Sequence, residues 1–471
     1  MAANVTKWIR DRLAPPTLAT VLAWCGGGLM AVMSMGASGD GCSFGGDNQN
    51  EMSAGNENGG VSIDIGDIAV APSGKFIAFA KGGVLAVGWT DTGAVDDMPV
   101  LDPSTLAFSK TRPVVYVASR SDLRLHAIDV EKAEELWSFD LSFVIDPLMA
   151  VSSDDQRLVV ASDQELRLLA AQTGDEVVAS KLPGPPLDVR ILPDDARAVV
   201  VPWQPWETQA APSTQVTVLS LADGAETHFD VPNCSSEIAV ASSGTRAFLA
   251  PVACKKDPIS YLDLTPGAEG FVKNLPGFGP VAIASGGATA VGFLDTESAS
   301  SLPPPGDGVP LPASPRYQLM LIDTSSLDYK FYPWGSNMPS YAVTPDGATL
   351  LVDDAFGQGH ALLFDTASRT YRHISGPPVT FDTLAISSDS RHAYVLPARG
   401  SRAKRGLYDL DIVAGTATEI DPGFLPLNLN LSPDDQTLFL RENSRTICVF
   451  SLATRVCENR ISVNGTATAS P

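Results

Sequence analysis

The chain has 471 residues and a formal net charge of −22, from 54 acidic and 32 basic side chains. A surface of that sign repels a phosphate backbone and argues against a nucleic-acid partner. Hydrophobic residues make up 44% of the chain, which excludes global disorder, and 36 prolines with 40 glycines fit many short strands and turns rather than long helices.

Lys7, Arg10 and Arg12 precede an apolar stretch at 13–37 that contains Pro15, Pro16 and a run of three glycines at 26–28. A basic flank, an apolar core and then small residues is the layout of an export signal. The stretch is also long enough for an uncleaved membrane anchor. Gly41-Cys42-Ser43 follows. It resembles a bacterial lipoprotein signal, in which the cysteine after a small residue is lipidated and becomes the new first residue. Gly39 and Asp40 depart from that pattern, which expects small and aliphatic residues there. The resemblance implies lipidation at Cys42, and a plain secretory signal cut near Ala37 is the alternative. The same residues match G-x-S-x-G, but no strand precedes them and no helix follows, so they are not read as a nucleophile elbow. Residues 1–41 are thus read as a signal or anchor. Residues 42–60, polar and glycine-rich, read as a flexible tether.

From residue 61 to 463 one pattern recurs. Its first turn reads VAPSG at 70–74, FSKTR at 108–112, VSSDD at 151–155, LPDDA at 192–196 and VASSG at 240–244. It continues as IASGG at 283–287, VTPDG at 343–347, ISSDS at 386–390 and LSPDD at 431–435. After each comes a strand read as alternating, such as RLVVAS at 157–162 and TLFLRE at 437–442. A second turn follows another apolar strand, as in LLAAQTG at 168–174, VLSLADG at 218–224 and LIDTSS at 321–326. Four short strands and two tight turns in a unit of about 43 residues predict one blade of a β-propeller. The fold class is therefore all-β, a propeller of four-stranded blades. Nine units are counted, and seven to nine blades are expected, with the first and sixth units the least regular. Residues 464–471 are read as a disordered tail.

The motifs resemble the YVTN and WD40-like propellers, whose blades carry an S-P-D-G first turn and a second turn ending in Asp-Thr. Val343 to Gly347 and Leu321 to Thr324 are the closest matches. Ile128 to Phe139, with Trp137 ending the last strand, is similar to a quinoprotein-type blade, but it occurs once. That blade type also occurs in non-enzymatic outer-membrane assembly lipoproteins, so the resemblance implies a scaffold. Such motifs specify fold far better than activity.

Four cysteines lie in the repeat region. Cys234 and Cys254 flank a hairpin turn centred at Ser243-Gly244, and Cys448 and Cys457 flank another. Each pair is expected to face its partner across antiparallel strands and to form a disulfide, which implies an oxidising compartment. No C-x-x-C pair or Cys/His cluster at zinc spacing is present, so neither a metal nor another cofactor is expected.

Insertions fall between second and third strands, at 202–215, 294–318, 357–360 and 397–406, on the face that also carries the connections between blades. Loops elaborated on one face of a rigid scaffold are where binding is usually carried. Trp203 and Trp206 offer an aromatic surface. Arg399, Arg402, Lys404 and Arg405 form a basic cluster on an acidic chain, to which Lys255 and Lys256 add if the fold brings them near. His126, in a strand, is read as structural. The five histidines share no spacing with each other or with acidic residues. Asp409 and Asp411 alternate on one strand and so share a face. No general base or nucleophile is assigned.

The expectation is an exported, membrane-tethered, non-enzymatic scaffold in a bacterial envelope, with a lipid anchor and an envelope protein or extracellular ligand as partner. The alternative is a secreted, lactonase-like hydrolase with a metal in the central channel.

Overall fold

The computed structural model describes residues 65–142, 147–203, 214–231, 237–241, 243–250, 258–265, 272–275, 278–284, 287–295, 317–335, 341–352, 361–377, 379, 381, 383–397 and 406–463. Every named element there is a strand, and the strands form nine four-stranded antiparallel sheets. Each sheet is a blade built from consecutive strands, spanning 65–101, 103–140, 148–181, 186–231, 237–275, 278–335, 341–373, 383–420 and 428–462. All nine repeat units are blades of one β-propeller, including the irregular first and sixth.

Blades meet through nine apolar clusters, one at each joint of the ring. This arrangement overturns the reading of the second strands as alternating. Arg157–Ser162 is buried from Leu158 onward, and Val114–Ser119 is buried throughout. A blade stacked on both sides has no solvent face, so its middle strands read as continuous Val, Leu and Ala runs. Alternation appears in outer strands such as Glu134–Asp140 and in the inner strand Leu148–Val151.

The ring closes without strand exchange. Ile77, Phe79 and Ala86 of the first blade pack against Phe439, Ile447, Val449 and Ile461 of the ninth. The Asn459 side-chain amide donates to the carbonyls of Thr90 and Asp91, at 3.1 and 2.8 Å.

Cys448 and Cys457 are bonded, with Cα atoms 5.6 Å apart. They are not opposed as the sequence suggested. Cys448 pairs with Arg460, and Cys457 pairs with Phe450. A register shift between Val449 and Phe450 offsets the ladder, so the bridge runs diagonally. Cys234 and Cys254 lie outside the described residues.

Candidate binding face

Two sets of turns decorate one face of the ring. In the first turns the opening Ser or Thr hydroxyl donates to an Asp two residues on, as Ser152 does to Asp154, Thr344 to Asp346, Ser387 to Asp389 and Ser432 to Asp434, each at 2.6 Å. The residue three beyond that opening position has positive φ in every blade but the second. It is glycine in Gly74, Gly244 and Gly347, but Asp155, Asp195, Ser390 and Asp435 also adopt it. A side chain there costs about 1–2 kcal/mol, less for Asp. Here it reaches the neighbouring blade. Asp155 accepts from Ser109 Oγ at 2.8 Å and from the Lys110 and Thr111 backbone amides at 2.7 Å. Asp435 accepts from the Ser388 amide at 2.7 Å, Asp195 from that of Ser153 at 3.0 Å, and Ser390 Oγ from that of Asp346 at 3.0 Å. Burial pushes the Asp155 carboxyl up, but hydrogen bonds from Thr111, Lys110 and Ser109 outweigh it and hold it below the usual carboxylate range.

In five of the second turns an Asp ends the third strand and accepts from the turn amides, while others, such as those ending in Gly174 and Gly224, carry a glycine at the close. Asp323 takes those of Ser325 and Ser326 at 2.8 and 2.9 Å. Hydrogen bonds from the Ser325 hydroxyl and these amides lower its pKa to about 2. The closing glycine, where present, meets the preceding blade. A Cβ on Gly174 would lie 2.6 Å from the Trp137 ring, and one on Gly224 would lie 2.0 Å from Val178. Trp137 therefore closes the joint between blades two and three, stacked at a tilt on Tyr116 at 5.8 Å.

The opposite face carries the loops between second and third strands. They are tied to the connections between blades by backbone bonds, among them Asp102 N to Gly83 O at 2.7 Å and Leu182 N to Gln164 O at 2.8 Å. All four insertions begin and end on this face, because each joins a second strand to a third. Trp203 opens the blade-four insertion; its amide donates to Pro185 O at 2.6 Å and its side chain is 38% exposed. Trp206, Arg399, Arg402, Lys404 and Arg405 lie outside the described residues, as do Cys42, Lys255 and Lys256. Their flanking strands set the tryptophan loop on blade four, the Lys255-Lys256 loop on blade five and the basic loop on blade eight. Tyr332 is core, between blades six and seven.

Sequence spacing missed four contacts between histidines and carboxylates. Buried His126 has Nδ1 3.0 Å from Glu135 and Nε2 3.1 Å from Asp122. His392 Nδ1 lies 2.8 Å from Asp409, and His228 Nε2 lies 3.5 Å from Glu226. Asp409 is thus held by His392, while Asp411 caps its turn through the Ala414 amide at 2.7 Å. On the inner strand Pro186–Ile191, Asp188 sits 3.0 Å from Arg190 and accepts from the Ile238 amide of blade five at 3.2 Å. Burial raises its pKa despite Arg190. Among the described residues no group of three or more His, Cys, Asp or Glu is placed to hold a metal.

No protein-family model matches the chain, and no curated protein matches it. Solved structures do. A eukaryotic initiation factor matches over 76% of this chain and 88% of that one, at 14% identity and a TM-score of 0.52. The likeness is one of fold. Dihydro-heme d1 dehydrogenase NirN, in complex with DHE, matches over 75% of this chain and 73% of that one, at 13% identity and 0.51. The Dos1 propeller matches over 71% and 90%, at 12% identity and 0.47. Propellers at this identity share an architecture and no stated chemistry.

Proposed function

We propose that this protein is an exported, membrane-tethered β-propeller of YVTN and WD40-like type that acts as a non-enzymatic interaction scaffold in a bacterial envelope. The observation that carries the reading is that all four insertions begin and end on one face of the ring, while the fully described turns of the opposite face are short. Unequal elaboration of two faces of a rigid scaffold is what a binding platform needs. The Cys448–Cys457 bond supports an oxidising compartment, in keeping with the export-like segment at 13–37 and with acylation at Cys42. Trp203, Trp206 and the basic loop of Arg399, Arg402, Lys404 and Arg405 are the contact residues in this reading. The partner is an envelope protein or an extracellular ligand.

Two measurements test it. Intact mass of the protein from native membranes is expected to show an acylated product beginning at Cys42; a soluble product beginning near residue 38 overturns the tether. Capture of partners by the chain is expected to fall at least severalfold with Arg402→Glu and Lys404→Glu together. An unchanged partner set removes the basic loop from the contact surface.

A further inference from the structure

We infer that the loop-bearing face is turned towards the membrane and rests on the lipid surface through Leu101, Leu425 and Leu427. This inference rests on the tethered reading and adds an orientation to it. The first observation is where the chain enters the ring. Ile65 pairs with Lys81, at the end of the second strand beside the Gly82-Gly83 loop, so the first strand begins at the loop-bearing face. Ser462 pairs with Thr446, beside the corresponding loop of blade nine, so the last strand ends there too. The 22 residues from Ser43 to Asp64 therefore join Cys42 to that face. A segment of 22 residues reaches at most about 75 Å when fully extended. Anchoring at Cys42 thus presents the loop-bearing face to the bilayer at high effective concentration.

The second observation is what that face exposes. Leu425 is 56% and Leu427 49% exposed, both in the connection between blades eight and nine, and Leu101, 61% exposed, ends the outer strand Val95–Leu101 at the same face. Leu425 and Leu427 flank Pro426 in the segment joining blades eight and nine, with Phe424 beside them. Of the other exposed large apolar side chains, Leu136, Val177, Tyr329 and Val456 lie on outer strands. Val413 lies in a turn of the opposite face, where Tyr329 and Val456 begin their outer strands. Large apolar side chains at the ends of connections, on the side where an anchor enters, suit the interfacial zone of a bilayer.

The test uses the full chain, purified from native membranes and reconstituted with vesicles of phosphatidylethanolamine and phosphatidylglycerol carrying brominated acyl chains. Leu425→Trp places a reporter on the loop-bearing face, and Val413→Trp places one on the other. Brominated lipid is expected to quench the added fluorescence of the first at least twofold more than that of the second. Equal quenching, or stronger quenching at 413, overturns the orientation. On the unsubstituted chain, vesicles are expected to slow amide exchange severalfold at 421–428 and not at 411–415; no slowing at 421–428 also overturns it. A chain that fails to sediment with vesicles sinks the tether and the orientation together. One that sediments but gives no protection at 421–428 sinks the orientation alone.

Discussion

Asp155 of blade three holds the Thr111 amide of blade two at 2.7 Å, across 44 residues of sequence. The two residues occupy the same kind of turn in successive blades. The residue in the strained conformation of one blade thus fastens its neighbour, and the strain is offset by charge-assisted hydrogen bonds.

This pair sets a rank order. Asp155→Ala keeps the positive φ and strands the Lys110 and Thr111 amides, so it is expected to cost about 3 kcal/mol. Asp155→Gly loses the same bonds but relieves the backbone, and should be milder by about 1 kcal/mol. Denaturant unfolding of the two variants checks the order. Equal losses would show that the backbone there is unstrained.

Acid should weaken the ring in a defined window. Asp155, Asp323 and Asp365 all have folded pKa values below their unfolded ones, near 3.9. Their contribution is fully present above that value and is lost as pH falls through the folded values, which for Asp323 is about 2. Thermal midpoints are therefore expected to decline between about pH 4 and pH 2, and Asp323→Asn to flatten part of the decline. A midpoint that is flat across the window refutes this.

Gly174 and Trp137 should be coupled. Gly174→Ala adds a methyl where the indole already sits and retains φ at 75°, at an expected cost of about 2–3 kcal/mol. In a Trp137→Leu background the steric part should disappear, leaving about 1 kcal/mol. A double-mutant cycle measures the difference, and strict additivity would contradict the contact.

Cys448 and Cys457 close a short loop, so the bond contributes about 2–3 kcal/mol through the unfolded chain. Reductant is expected to lower the unfolding midpoint of the wild type, and to leave unchanged that of a chain carrying Cys448→Ser and Cys457→Ser. Identical behaviour of the two chains would mean that the bond contributes nothing.

The blade count was legible because each turn carries its chemistry within five residues, as in VTPDG and VSSDD. The loop-bearing face was legible for the same reason, since an insertion interrupts a local repeat. What escaped the sequence depends on partners outside one hairpin. The aspartate at 155 reads as an imperfect glycine until the next blade stands beside it. His392 and Asp409 meet across an insertion that conceals the register of their strands, and one bulge at Val449 turned an opposed cysteine pair into a diagonal one. The strands mistaken for alternating ones carried a clear apolar signal, but which faces it served depended on blades about 43 residues away.

The entry of the chain through an innermost strand has a mechanical consequence. A pull applied at residue 65 runs along Ile65–Val70, which is paired with Phe76–Lys81 from Ile68↔Phe79 to Val70↔Ile77 and backed by the joint with blade nine. The force loads those ladder bonds together in shear instead of peeling them one by one. The ring therefore hangs from an innermost strand, and tension on the tether bears on the closure between first and last blades before it reaches the loops.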